Sequence, residues 1–334
     1  MKNQEKLTSI RKSKLLITGG SGFIGTRALS TGLYYSEHVL SIDFAEPKTK
    51  MSNAQSCRVD ILDRPSLERV IREFRPTHIL HLAAKTGMDL AGLHELKPNI
   101  EGVTNLIETA ANCSSVKRIV FVSSLLVCRN GYIPESDEDY CPPNYYGESK
   151  MIGEQIIRSA DVPFEWSIVR PTSIWGPWFE DSYKTFFQTI DKGLYFHIGG
   201  NAIVKPKSYV GNTTHMMYKI LFDPTCEVHR QTYYLSDWPE MSTNEWAEEI
   251  NRQLDGHPIR TIPVPLLRVV AKGGDLFKKV GKELPLTTFR LNNMLTGGSY
   301  PVENTRAIVG DLPYALSDGV RETIAWMRAE GLLR

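Results

Sequence analysis

Short apolar runs alternate with amphipathic stretches through the first half of the chain, and that alternation predicts its architecture. Lys14–Thr18, His38–Ile42, Thr77–Leu82, Arg118–Val122 and Phe164–Arg170 read as buried strands, with Cys57–Ile61 as a further short one. Between them, helical spacing puts Leu67, Val70, Ile71 and Phe74 on one stripe of residues 63–74. The same spacing turns Val103, Leu106, Ile107 and Ala110 inward in residues 99–112, and Lys150–Arg158 continues the series. Strands alternating with helices in this way predict a parallel, doubly wound α/β sheet. Past Trp178 the alternation fades. Tyr209–Asn212 leads into a helix reaching about Phe222, Gln231–Leu235 reads as one more strand, and Ser242 with Glu245 forms a capping box before the helix of Trp246 to Leu254. Ile262–Ala271 is apolar, with two prolines at its start. It reads either as a packed helix of a second lobe or as a segment lying on a membrane surface or hydrophobic ligand.

A length of 334 residues suits two domains, or one domain with an appended lobe. The expected division is a cofactor domain over 12–175, rejoined by about 205–237, and a smaller α/β substrate lobe over most of 176–334. With 39 Lys and Arg against 38 Asp and Glu, the balance gives no global attraction to nucleic acid or membrane. Five scattered cysteines form no CxxC or Cys/His cluster, so neither a disulfide framework nor a metal site is expected. The basic N-terminus has no apolar h-region after it, and no run approaches the length of a membrane span, so the expected location is cytoplasmic.

The candidate chemistry gathers at the C-terminal ends of the predicted strands. After Lys14–Thr18 comes Gly19-Gly20-Ser21-Gly22-Phe23-Ile24-Gly25, and then a helix. Strand, glycine turn and helix in that order make a phosphate cradle: Gly19 for the tight turn, Gly22 for close approach of a pyrophosphate, Gly25 for packing. Asp43 ends the next strand at the distance where a ribose-binding acid belongs, although an Asp can also simply close a strand. The small residues Ala83 and Ala84 would let backbone approach a flat ligand or pack closely, and Ser124 closes the Arg118–Val122 run. Tyr146 and Lys150 stand four residues apart on one helical face, where an ammonium would favour the phenolate. Such pairs also occur in ordinary helices, so this one does not decide the matter alone.

Taken in order, these motifs resemble the extended short-chain dehydrogenase/reductase family over nearly the whole chain. Thr18–Gly25 is similar to its cofactor signature, His81-Leu-Ala-Ala84 to its strand-four motif, and Pro98-Asn99-Ile-Glu-Gly102 to the following helix. Val122-Ser-Ser124, Tyr146-x-x-x-Lys150, Arg170-Pro171 with Gly176-Pro177, and the tail from Asn304 to Trp326 complete the series. The resemblance implies a Rossmann domain with a C-terminal substrate lobe, NAD as cofactor, and Ser124, Tyr146 and Lys150 as the catalytic set. It further implies that Gly19, Gly22, Phe23, Ile24, Gly25, Asp43, Asp60, Ile61, Leu82, Ala83, Ala84, Tyr146, Lys150 and Pro171 bind the cofactor. Lys85, Ser124, Ser173, Lys205 and Lys207 would contact the substrate. A homodimer paired through the helices of 99–112 and 146–157 is also implied.

Among the family's reactions, dehydration is disfavoured, because Leu125 and Leu126 stand where many dehydratases carry acids and neither can move a proton. Epimerisation at C4 of a nucleotide sugar needs only the Tyr, the Ser and the nicotinamide, and is the expected activity. Two departures keep a 3β-hydroxysteroid dehydrogenase-like or other alcohol oxidoreductase as the alternative: Ser173 replaces the usual Asn, and Val127-Cys128-Arg129 the usual Val-Tyr-Gly. Val210-Gly-Asn212 and the apolar stretch from Ile262 point the same way. A non-catalytic NAD-binding member is the third reading, opposed by retention of both Tyr146 and Lys150.

Overall fold

The computed structural model describes residues 13–49, 53–87, 90–179, 181–199, 204–279 and 287–334. The chain divides into two compact units. The first comprises the residues up to Ile174 with Ser208–Ser236 and Pro301–Pro313. The second comprises Trp175–Lys207, Asp237–Tyr300 and Tyr314–Arg334.

The strands, in chain order, are β1 (Lys14–Thr18), β2 (His38–Asp43), β3 (Ala54–Arg58), β4 (His78–His81), β5 (Arg118–Val122), β6 (Glu165–Pro171), β7 (Ser173–Trp175), β8 (Phe196–Ile198), β9 (Lys207–Tyr209), β10 (Gln231–Leu235) and β11 (Arg260–Ile262). The helices are α1 (Phe23–Gly32), α2 (Arg64–Phe74), α3 (Lys97–Ala111), α4 (Tyr145–Ser159), α5 (Asp181–Asp191), α6 (Val210–Leu221), α7 (Thr243–Gln253), α8 (Val264–Lys279), α9 (Thr288–Leu295), α10 (Glu303–Val309) and α11 (Leu316–Ala329).

In the first unit a seven-stranded, fully parallel sheet runs β3-β2-β1-β4-β5-β6-β10. Its inner strands are covered on both faces, which is why Leu15, Leu16, Ile17, Ile79, Leu80, Ile119 and Val120 are all fully buried. One face packs on α2 and α3 through Leu67, Ile71, Val103 and Leu106. Behind α1 lies α6, where the buried Tyr218 hydroxyl donates to the Ala28 carbonyl at 2.8 Å. The strand order reverses between β1 and β4, and in such sheets that reversal opens a crevice at the strands' C-terminal ends.

Two boundaries differ from the sequence pattern. The strand expected at Cys57–Ile61 lies earlier, at Ala54–Arg58, because its register is set by pairing with β2 from Val39↔Ala54 to Asp43↔Arg58. It is an edge strand with mostly exposed side chains, so no apolar run marks it, whereas the buried Val59 and Ile61 follow its end. The apolar Ile262–Ala271 stretch also divides: Ile262 closes β11, and α8 starts at Val264 with Pro265 in its first turn, where a missing amide costs no helical bond.

The second unit holds α5, α7, α8, α9 and α11 beside a parallel pair, β8 and β11. Aromatic rings fill its interior: Trp246 packs on Trp175 at 5.1 Å and stacks on Phe186 at 4.7 Å between centroids. The capping box at Ser242 and Glu245 forms as expected, opening α7.

Back in the first unit, a buried ion pair joins α4 to β6. Arg170 is 0% and Glu154 1% exposed, and Arg170 meets the carboxylate twice, Nε to Oε1 at 2.9 Å and Nη2 to Oε2 at 2.7 Å. Ser123 and Tyr140 hydroxyls donate to the same carboxylate at 2.5 and 3.1 Å. Replacing Glu154 with Gln strands a buried guanidinium beside a neutral amide. It is expected to cost about 3–5 kcal/mol, the penalty for breaking a buried pair from one side, read as a lowered urea midpoint. An unchanged midpoint would show that the pair does not hold α4 to the sheet.

Candidate active site

At the β1/β4 reversal, side chains lock the two strand ends together. The Thr18 hydroxyl lies 2.7 Å from His81 Nδ1 and accepts from the Ala83 amide at 3.2 Å. Gly19 follows at φ +75°, and a Cβ there would sit 2.6 Å from the Ala83 nitrogen, so turn and strand end touch backbone to backbone. The small residues at 83 and 84 therefore serve close packing and also border the adjoining cleft.

That cleft encloses about 540 Å³. It brings together Gly19, Gly22, Asp43, Asp60 and Ile61 on one side with Leu82, Ala83, Ala84 and Lys85 on the other. A side chain added at Gly22 would meet only the Gly19 carbonyl, at 3.3 Å, so a bare backbone faces the cleft just where α1 begins. Asp43 holds the turn in place, accepting from the Ser21 amide at 2.9 Å through Oδ2 and from the Ala45 amide at 3.0 Å through Oδ1. Each oxygen keeps further acceptor capacity. A bare-backbone helix start, a strand-end carboxylate and a cleft of this size fit a dinucleotide. Asp60 accepts from the Leu62 amide at 2.9 Å, which shapes the floor near Ile61. Phe23, Ile24 and Gly25 form the first turn of α1, and Pro171 ends β6; they are not among the residues bordering the cleft.

Ser124, Tyr146 and Lys150 belong to the same unit, linked through backbone. The Ser124 hydroxyl accepts from the Leu126 amide at 3.1 Å, capping the tight turn Leu125–Val127. This leaves its own proton to donate. Asn144 caps α4 by accepting from the Gly147 amide at 2.9 Å, which places Tyr146 in the first turn and Lys150 one turn on. The Lys150 ammonium donates to the Val122 carbonyl at 2.9 Å, at the end of β5. A Cβ at Gly147 would lie 2.0 Å from the Leu126 carbonyl oxygen, so only glycine lets α4 dock this closely on the Ser124 turn.

Loss of water around the ammonium pushes Lys150 down to about 8, against the opposing pull of Glu154. Burial, helped by the Lys150 charge, pushes His81 down to about 3, so its ring is neutral near pH 7. His81, Asn99, Ser123, Lys150 and Glu154 border a second cavity of about 20 Å³, room for about one water. His81 Nε2 has no protein partner.

The remaining expected residues are placed as follows. The Lys85 ammonium pairs with Glu95 at 3.1 Å, and its backbone exchanges hydrogen bonds with the Asn99 side chain. Ser173 is exposed at the start of β7. Lys205 and Lys207 lie in the second unit, where Lys207 donates to the Lys205 carbonyl and the Thr243 hydroxyl at 3.0 and 3.1 Å. Lys207 is buried over the Trp246 ring and pushed down to about 8, whereas Lys205 is half-buried. Sequence reasoning missed Glu154, His81 and Gly147. Glu154 carried a signal, standing four residues beyond Lys150 on the face that carries it.

A doubly wound sheet with a glycine turn at its reversal, beside a Ser turn and a Tyr–Lys helix, defines a dinucleotide-dependent enzyme. The chain belongs to the NAD dependent epimerase/dehydratase family, whose model matches residues 15–195, and its cofactor is NAD. It is similar to the N-acetyl-alpha-D-glucosaminyl-diphospho-ditrans,octacis-undecaprenol 4-epimerase of Escherichia coli O157:H7, 24% identical over 93% of this chain and 94% of the relative. It also resembles the UDP-glucose 4-epimerase of Vibrio cholerae, 26% identical over 75% of this chain and 79% of the relative. The Bordetella bronchiseptica enzyme WbmG, solved in complex with NAD, shares the fold with a TM-score of 0.72 at 20% identity, covering 96% of each chain.

Gly147→Ala is expected to push α4 off the Leu126 carbonyl. A misplacement near 1 Å lowers turnover about 100-fold, while NAD affinity is expected to change little, the larger cleft being untouched by the substitution. Steady-state kinetics beside calorimetric NAD titration checks both.

Proposed function

We propose that the enzyme epimerises a sugar carried on a diphosphate at C4, with a nucleotide sugar as the first reading of the carrier. The observation that carries this is the docking of the Tyr146–Lys150 helix on the Ser124 turn beside the dinucleotide cleft. The turn continues as Leu125 and Leu126, so no acid follows Ser124 to support loss of water. The E. coli relative, aligned along most of both chains, is named for a sugar on undecaprenyl diphosphate, and this favours a lipid carrier as the second reading.

In this reading Gly19, Gly22 and the free amides of α1 receive the pyrophosphate, and Asp43 takes the adenine ribose. Asp60 and Ile61 border the adenine, while Leu82, Ala83 and Ala84 line its path. Tyr146 removes the proton from the C4 hydroxyl, Ser124 donates to the same oxygen, and Lys150 favours the phenolate and holds the nicotinamide ribose. NAD, when bound, supplies a hydride acceptor that returns what it takes. The ketone turns within the site so that the hydride would return to the other face of C4, and Tyr146 gives the proton back to the oxygen. Lys85, Ser173, Lys205 and Lys207 are the substrate-side candidates, with Lys205 the more accessible of the two second-unit lysines.

Tyr146→Phe is expected to abolish turnover while leaving NAD binding nearly intact, since only the proton path is removed. With native enzyme, catalytic NAD and a C4-deuterated UDP-sugar, NMR is expected to show the epimer with deuterium retained and no NADH accumulating. Stoichiometric NADH would sink the epimerase reading in favour of an alcohol dehydrogenase. Lys150 is charged below its pKa of about 8 and neutral above it, so turnover is expected to fall as pH rises through that value.

A second test concerns Asp43. Its carboxylate would repel a 2′-phosphate, so NAD is expected to bind much more tightly than NADP, and Asp43→Asn to narrow the gap by about tenfold, one charge–charge contact being worth roughly 1 kcal/mol in water and more when part-buried. Equal affinities in the native enzyme, by calorimetry, would remove Asp43 from the ribose site.

A further inference from the structure

Helix α8 carries two apolar stripes, and only one of them packs into a hydrophobic cluster. Leu267 and Ala271 pack inward with Leu291 of α9, at 4%, 0% and 1% exposure. Leu266, Val269 and Val270 recur at the i, i+3, i+4 spacing of a second stripe and are 56%, 68% and 52% exposed. A contiguous exposed apolar stripe of this kind is characteristic of an interaction surface.

The charges beside that stripe say what kind of partner. Arg268 and Lys272, one turn apart, are both exposed along its flank. The one carboxylate of α8, Asp275, is half-buried and accepts from the Thr288 amide at 3.1 Å. Over 264–287 the sequence carries five Lys or Arg against two acids, in a chain with 39 bases and 38 acids in all. Exposed aliphatic side chains flanked by cations match the headgroup region of an anionic bilayer, which takes both at once. A second protein copy would bring its own cations against these.

We propose that the outward face of α8 docks the enzyme on an anionic phospholipid surface, with Leu266, Val269 and Val270 entering the headgroup boundary and Arg268 and Lys272 meeting lipid phosphates. No helix among the described residues is long and apolar enough to cross a membrane, so this is a peripheral attachment. It accords with the lipid-carrier reading above but stands apart from it, because vesicle binding is measured without turnover.

The test is co-sedimentation of the full-length, NAD-loaded enzyme with vesicles of phosphatidylglycerol or of phosphatidylcholine. Binding to the anionic vesicles alone, weakened by high salt, is expected. Arg268→Gln with Lys272→Gln is expected to weaken the partition about thirtyfold, the effect of two bases near such a surface. Leu266→Ser with Val269→Ser is expected to weaken it as well, and unchanged NAD affinity and thermal unfolding would confirm that both variants are folded. Three results would overturn the proposal: native enzyme left in the supernatant, variants binding like native, or equal binding to the neutral vesicles. Light scattering gives a fourth, if the serine variant splits a native dimer and so makes this face a contact between copies.

Discussion

The site depends on two opposite charges held out of water, Glu154 and Arg170. Burying such a pair gains little net stability over an apolar filling of the same shape, because desolvation offsets most of the attraction. What it supplies is a direction. The carboxylate gathers Arg170 from β6, Ser123 from just past β5 and Tyr140 from the segment before α4, with Arg158 of its own helix at 3.5 Å. Once those partners are in place, α4 cannot roll about its axis. Lys150 lies one turn earlier on the same side and reaches the Val122 carbonyl, while Tyr146 lies one turn earlier still. The Ser124 turn is then met by Gly147, at a distance no side chain would permit. The buried pair therefore acts on the proposed chemistry at one remove, by fixing the roll and approach of the helix that holds Tyr146 and Lys150.

The same carboxylate enters the electrostatics of Lys150. Removing the ammonium from water favours the neutral amine, Glu154 favours the charged form, and the first effect is larger, which leaves the group near 8. A lysine fully solvated at this point would keep its proton but exert a screened field on Tyr146. One deeply buried without a carboxylate nearby would lose the proton altogether. His81 sits on the other side of the balance as a neutral ring, tied to Thr18 where the sheet reverses. It adds no positive charge to compete with Lys150 and so can line the same small cavity.

The parallel sheet was legible because strands covered on both faces appear as unbroken apolar runs, and the glycine turn because its place between strand and helix is itself a signal. Spacing put Tyr146 and Lys150 on one helical face, and the ordered motifs around them, rather than the spacing, marked the pair as a candidate site. What spacing cannot carry is the identity of a partner distant in sequence. Glu154 shared a helical face with Lys150, yet nothing local announced that Arg170 would meet it. Gly147 looked like an ordinary glycine in a helix start, since the atom that requires it is a backbone oxygen of Leu126 in another segment. His81 stood within the His81-Leu-Ala-Ala84 motif, with nothing local to show that its ring would meet the Thr18 hydroxyl. The edge strand β3 lacked a pattern altogether, because pairing with β2 rather than burial defines it.

Helix α8 shows a different limit, one of kind rather than distance. A periodic stripe reports that a face will be covered, and it cannot report whether the cover is protein. In 264–271 the leucines and valines occupy both faces, a pattern suited to a helix sunk in a large core. Among the described residues, the cluster around α8 buries Leu267, Ala271 and Leu291, with Phe196, Ile198, Ile262 and Leu295 packed against it, while Leu266, Val269 and Val270 stay exposed. A chain that needed only a packed lobe could carry Ser or Gln at 266, 269 and 270 with no loss to that cluster, because none of the three contributes to it. Their apolar character is what the proposed bilayer contact would use, and the exposed Arg268 and Lys272 beside them are what would favour an anionic surface.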